Sequence, residues 1–190
     1  MTDYCTTVDV KALAGATLTT DDTLIATLIT RASRLLDAHT GRVFSAVTAT
    51  RSYTPGVDTD GQTLFLDDDL LSVTTLTTNG VALAAAAYTL QPLNATRKNR
   101  LCLKSAYAWE WSDDPAGSIV LAGTWGYSAT PPADIVQAAA RLALWLYRQR
   151  EAPFSRVGNA LTGEYEVPVA LPEDVIAILR PYVRRSWGAV

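Results

Sequence analysis

Residues 118–147 read SIVLAGTWGYSATPPADIVQAAARLALWLY, and the period of hydrophobicity changes inside them. Ser118 to Trp125 has the β-branched and apolar content of a strand. Pro131-Pro132 then opens a helix, since a proline in the first turn lacks only an N–H that has no intrahelical acceptor anyway. From Ile135 to Tyr147 the polar side chains are Gln137 and Arg141, four apart on one narrow line, and the rest is apolar nearly all the way round. Such a helix does not suit the outside of a small monomer, and 190 residues leave little other chain to wrap it. A neighbouring subunit is therefore expected to cover part of it, through Ile135, Ala139, Leu142, Trp145 and Leu146.

Upstream, residues 43–127 carry β signals throughout. Threonine is abundant and turns are frequent. Thr63–Leu66 and Leu71–Thr78 read as strands around an Asp67-Asp68-Asp69 turn. Asn79-Gly80 is the strongest hairpin signal, joining Val73–Thr78 to Val81 onward. Tyr88–Leu90, Arg100–Leu103 and Tyr107–Trp111 read as further strands, with Pro55-Gly56, Asp113-Asp114-Pro115 and Gly117 as breakers. Residues 1–42 return to helical spacing. Thr7 caps a short helix closed by Gly15. Thr20 caps a longer one, with Asp21 and Asp22 in its first turn. Leu24, Leu28, Ala32, Leu35 and His39, with Ile25, Ile29 and Leu36 beside them, form its broad apolar stripe, and Gly41 stops it. After Pro153, Phe154–Val169 has no clear period; Leu171-Pro172-Glu173-Asp174 then starts a last helix to Leu179. The reading is α+β: an α-helical core of about four helices, from residues 1–42 and 128–190, with an inserted β-rich module at 43–127.

The composition restricts function. The hydrophobic fraction of 48% against 18% charged residues supports a folded core. A net charge of −3 lacks the basic footprint of a dedicated nucleic-acid binder. One histidine and two distant cysteines exclude a His-rich or Cys-rich zinc site within the chain. Cys5 and Cys102 read as reduced thiols made in a cytoplasm. The N-terminus shows no secretory signal, and no stretch is apolar over a bilayer's thickness, so a soluble product with no membrane partner is expected.

Few constellations carry chemistry. Asp67–Asp69 is the best metal candidate, but consecutive strand residues point to opposite faces, and a solvated turn is preferred. Tyr107, Trp109 and Trp111 share one face if they form a strand, which suits either a stacking platform for carbohydrate or a buried sheet face. Arg97, Lys98, Arg100 and Lys104 make a modest basic cluster. Nucleotide-binding, metalloprotease and hydrolase motifs are absent, and His39 is expected on a buried face. No catalytic residue, metal or cofactor is expected.

An ordered set of motifs then accumulates. Leu35-Leu36-Asp37-Ala38-His39-Thr40-Gly41-Arg42-Val43-Phe44 ends the first long helix. Leu64-Phe65-Leu66, Leu71-Ser72-Val73 and the Asn79-Gly80 hairpin follow. Gly123-Thr124-Trp125-Gly126-Tyr127 precedes Pro131-Pro132-Ala133-Asp134-Ile135, and Leu146-Tyr147-Arg148-Gln149-Arg150 closes the set. Over residues 8–153 this resembles the head–tail connector proteins (adaptor or head-completion proteins) of tailed bacteriophages and prophages. The resemblance implies a structural virion protein, made in the host cytoplasm and without a catalytic site. It implies a ring, typically of twelve copies, beneath the portal protein. That ring extends the channel for double-stranded DNA, which passes without specific binding, and docks stopper or tail proteins. Within that picture Tyr182, Arg184, Arg185 and Trp187 are expected to dock on the portal. Residues 1–70 hold ten acidic against five basic side chains, a net of −5. Asp58, Asp60, Asp67, Asp68 and Asp69 are accordingly expected to line the channel and repel DNA. A stopper or tail-completion subunit, and a carbohydrate- or ligand-binding module using the aromatic row, are the alternatives.

Overall fold

The helical and β signals resolve into two compact units. One comprises the described residues up to Gly41 and from Pro131 onward; the other is Arg42–Thr130. The structure, a computed structural model, describes residues 2–15, 21–114, 117–149 and 171–184. The chain is α+β, with four helices and a seven-stranded antiparallel sheet among the described residues. No described helix is long and apolar enough to cross a membrane.

In the helical unit, α1 (Thr7–Ala14) starts one residue earlier in its capping than expected. Thr6, not Thr7, is the cap: its hydroxyl accepts from Asp9 N, while Asp9 accepts from Thr6 N at 2.7 Å. This reciprocal box satisfies two N-terminal donors at once. Gly15 closes the helix with φ of 63°. α2 (Asp22–Thr40) is preceded by Asp21 as its cap residue; the expected cap Thr20 lies outside the described residues. Asp21 makes no side-chain cap bond and instead accepts from the Tyr147 hydroxyl at 2.5 Å.

The buried face of α2 is Ile25, Ile29, Ala32, Ser33, Leu36 and Thr40. It centres on the Ile25, Ile29 and Leu36 side of the broad stripe expected and adds Ser33 and Thr40 to it. Leu24, Leu28 and Leu35 are half-buried and His39 is exposed, against the expectation that His39 faces the core. The cause lies in two polar residues. Ser33 and Thr40 donate their hydroxyls to the carbonyls of Ile29 (2.9 Å) and Leu36 (2.7 Å), so both bury at little cost.

α3 (Ala133–Gln149) packs against α1, α2 and α4 (Glu173–Leu179), and a 3-10 turn at Arg180–Tyr182 follows α4. Ile135, Ala139 and Leu142 are completely buried by the chain itself. For these three residues this corrects the expectation of cover by a sister copy: α1, α2 and α4 suffice where the stripe meets them. Trp145 and Leu146 remain half-buried. Three tyrosine–aspartate bonds tie the unit together, Tyr4 to Asp37, Tyr147 to Asp21 and Tyr182 to Asp134. Buried Cys5 has its thiol pushed up to about 12 by desolvation, with Asp9 and Asp3 adding to it. Cys5 and Cys102 are both free thiols. The expected end of the helix at Pro153 and the segment Phe154–Val169 lie outside the described residues.

In the β unit the strands are β1 (Val47–Tyr53), β2 (Thr59–Asp60), β3 (Thr63–Thr78), β4 (Val81–Ala82), β5 (Tyr88–Gln91), β6 (Lys98–Leu103) and β7 (Ile119–Trp125). Their order is β1-β7-β3-β6-β5, with β2 and β4 hairpinned onto β3. The Asn79-Gly80 turn forms as read, both residues at positive φ, 47° and 76°, between Thr78 and Val81. The two strands expected on either side of Asp67–Asp69 are one continuous β3 of sixteen residues. Its first half pairs with β6 (Leu64 with Leu101) and its second with β7 (Leu76 with Leu121), and the register shifts between Phe65 and Leu70. Tyr107–Trp111 is not a strand.

The core of this unit is Tyr53, Leu64, Leu66, Leu70, Leu76, Leu101, Leu103, Ile119, Leu121 and Trp125. β7 supplies it by strict alternation, and the gap at Gly123 has a reason. A Cβ there would stand 2.3 Å from the Ser72 carbonyl oxygen. Gly123→Ala is expected to cost about 1–3 kcal/mol of stability by overpacking, seen as a lower urea midpoint at unchanged m-value. An unchanged midpoint would show that β3 and β7 are not held this close.

Candidate functional site

Asp67, Asp68 and Asp69 sit where β3 passes from β6 to β7. Each carboxylate has a partner from another part of the β unit. Arg42 pairs with Asp69, Arg51 with Asp67 (2.7 Å) and with Asp68 (3.0 Å), and the Tyr53 hydroxyl donates to Asp67 at 2.5 Å. Asp69 is buried, and its own carbonyl accepts from Gly126 N at 2.8 Å. The run is therefore a strand bulge whose carboxylates are all engaged. It is neither the solvated turn nor the bare acidic wall expected from the sequence. A bulge bends a strand and raises its twist without ending it, so the special geometry asked of a turn is met inside the strand. No group of three His, Cys, Asp or Glu able to hold a metal occurs among the described residues.

Around this corner the Gly123–Tyr127 motif closes the sheet. The Arg51 guanidinium lies over the Trp125 ring at 4.2 Å, and Trp125 Nε1 donates to the Ala49 carbonyl at 2.9 Å. Gly126 adopts φ of 131°, and a Cβ there would meet the Ser45 carbonyl oxygen at 2.4 Å. Tyr127 N donates to the Val43 carbonyl, its ring tilts against Phe44, and Arg97 lies 3.7 Å from its centroid. Burial would push the Asp67 carboxyl up, but the bonds from Tyr53 and Arg51 and the Arg51 charge hold it below the usual carboxylate range. Desolvation opposes the Arg51 charge; its pairs with Asp67 and Asp68 outweigh that and raise its pKa. The Tyr53 phenol is pushed up, first by burial and then by Asp67.

The other expected site residues separate. Asp58 is half-buried and accepts from Thr54 N at 2.8 Å, closing a turn, while Asp60 is exposed. Trp109 turns inward against the β core and Trp111 outward, so Tyr107, Trp109 and Trp111 do not present one stacking face. This removes the geometry on which a carbohydrate platform was read. The basic cluster is dispersed as well. Arg97 stacks on Tyr127, and Lys98 Nζ donates to the Pro92 and Leu93 carbonyls. At the C-terminus, the Tyr182 hydroxyl donates to Asp134 at 2.9 Å and Arg184 N to the Thr40 carbonyl at 2.8 Å. Arg185 and Trp187 lie outside the described residues. The roles of Arg42 and Arg51 had no sequence signal, because their partners lie 27 and 17 residues away (Asp69 and Asp68) with no motif spacing.

The outcome, among the described residues, is an α+β protein whose β-unit corner is held by paired charged and aromatic side chains. The chain belongs to the head completion protein family, whose model matches residues 4–185. No curated protein matches the sequence. Among solved structures, it is similar to a chain in the neck of a native gene transfer agent particle computed with C12 symmetry. Identity there is 18%, TM-score 0.62, over 88% of this chain and 86% of that one. A chain in the neck of the empty particle, computed with C6 symmetry, gives 19%, TM-score 0.63, and coverage of 96% and 91%. A chain in the virion of the native gene transfer agent gives 22%, TM-score 0.57, and coverage of 90% and 83%. At these identities the likeness establishes a shared fold.

Because the folded Asp67 carboxyl titrates below its unfolded value, its contribution to stability is complete above about pH 4 and is lost as pH falls through the folded value. Thermal melts between neutral and strongly acidic pH are expected to show Arg51→Met less stable than the parent at neutral pH, with the gap narrowing in acid. A gap that stays constant would mean that Arg51 acts through packing on Trp125 alone.

Proposed function

We propose that the chain is a structural subunit of the head–tail connector of a phage-like virion. It acts as an adaptor that forms a ring beneath the portal, extends the DNA channel and docks stopper or tail proteins. The observation that carries this reading is the family match across nearly the whole described chain. The shared fold with chains from necks computed with C12 and C6 symmetry supports a ring, and twelve is the copy number we adopt. A ring of identical copies needs a heterologous contact, two different patches repeated until the rotation closes. Of the five α3 residues read as packing between subunits, we assign that role to Trp145 and Leu146, which keep surface of their own. DNA passing through such a ring is not held, in keeping with the net charge of −3. Channel lining is not assigned to Asp67–Asp69, since Arg42, Arg51 and Tyr53 already engage their carboxylates. The protein has no enzymatic role in this reading. It is made in the host cytoplasm and ends in the virion.

The portal contact is assigned to the C-terminal segment. Tyr182 and Arg184 anchor it to the helical unit, and Arg185 and Trp187 make the contact, combining the guanidinium and indole groups that dominate interface energies. Truncation after Arg184 spares the anchoring bonds. The shortened chain is expected to melt within about 0.5 kcal/mol of the parent and to lose co-sedimentation with portal complexes. Retained co-sedimentation would refute the assignment.

A further inference from the structure

One end of the β unit gathers exposed apolar side chains that the core does not use. β1, β7 and β3 end side by side there, with Tyr53 opposite Ile119 and Ile119 opposite Thr78. Val57 is 79% exposed, Val81 61% and Trp111 60%. Their backbones are fixed. The Thr54 carbonyl accepts from Val57 N and Asp58 N, and Asp58 returns a bond to Thr54 N. Glu110 N donates to Thr78 Oγ1 at 2.9 Å and Ser112 N to Ser118 Oγ at 3.1 Å, while Thr78 pairs with Val81. Between these anchors the Trp111 ring reaches the Val57 turn, with Cζ2 3.6 Å from where a Cβ on Gly56 would stand. An exposed tryptophan on a pinned backbone loses little freedom when covered, and isolated apolar clusters of this kind mark interaction sites.

The charge around it is one-sided. Segments 54–62, 78–82 and 104–114 hold five acidic residues, Asp58, Asp60, Glu110, Asp113 and Asp114, against Lys104, a net of −4. We propose that this end of the β unit is a docking surface for a basic protein segment carrying an apolar anchor, supplied by another polypeptide of the particle neck. The apolar side chains supply contact area, and the carboxylates select for lysine or arginine and repel DNA and anionic membrane. Only the partner's location rests on the connector reading; the chemistry of the surface stands on its own.

Two measurements test it. In the first, the full chain is titrated with a short acetylated peptide alternating arginine and leucine, and with its glutamate counterpart. The basic peptide is expected to bind and the acidic one not. Binding is expected to weaken roughly tenfold in Trp111→Ala, and to a similar extent in the combined Asp58→Asn, Glu110→Gln, Asp113→Asn, Asp114→Asn variant. Both variants should keep the parent's circular dichroism. Binding that ignores Trp111, or equal binding of the acidic peptide, overturns the surface whatever the protein's place in the virion. In the second, Val57→benzoylphenylalanine is photo-cross-linked in assembled particles. Capture of a lysine- or arginine-rich segment of a different polypeptide supports the proposal. Capture of DNA, capture of another copy of this chain (its Arg184-Arg185 segment above all), or no capture overturns it.

Discussion

The β unit depends on Arg42 meeting Asp69. Asp69 is buried at the point where β3 changes partners, and a carboxylate there without its counter-charge would cost about 3–5 kcal/mol. The pair lets one strand serve two neighbours. Before the corner Leu64 and Leu66 enter the core against β6, and after it Leu70 and Leu76 enter against β7. Asp69 and Leu70 are buried in succession, which is the local signature of the extra residue. Arg51 then pairs with both remaining aspartates and lies over Trp125, so the corner is joined to β7 as well as to β6.

The same corner marks where the sequence was legible and where it was not. Turn chemistry that acts through the backbone read correctly. Asn79-Gly80 forms its hairpin, and Gly15 and Gly41 close their helices in the left-handed region. The α3 helix was also plain from its period, although its own chain covers Ile135, Ala139 and Leu142, which were expected to meet a neighbouring copy. Three aspartates in a row carry a turn signal because, on their own, they favour water. Only Arg42 and Arg51, far away in the chain, make them tolerable within a strand. The α2 stripe was legible on its Ile25, Ile29 and Leu36 side but not at its edge: Ser33 and Thr40 satisfy their hydroxyls on their own helix and pass as core residues, while His39 is exposed. Tyr107–Trp111 has the aromatic alternation of a strand in its sequence, yet Trp109 turns in and Trp111 out where a strand would put both on one face, and the segment pairs with no strand.

The motifs that pointed to the family turn out to be structural. Gly123 and Gly126 each lie within clash distance of a carbonyl oxygen, and Trp125 is both buried and hydrogen-bonded. Such positions admit few residues, because any larger side chain must displace backbone. Partner surfaces have no comparable internal constraint. The Trp111 end and the C-terminal segment are therefore the parts of the protein least readable from sequence, and they are also where the specificity of assembly is placed.

In the proposed connector role this fold stands beside copies of itself around a DNA channel. A particle reconstruction resolving the neck tests that directly. The account predicts a closed ring of identical copies on the channel axis, with Trp145 and Leu146 of each covered by the next. A chain present as a lone copy, or a ring in which those two side chains face solvent, would contradict it.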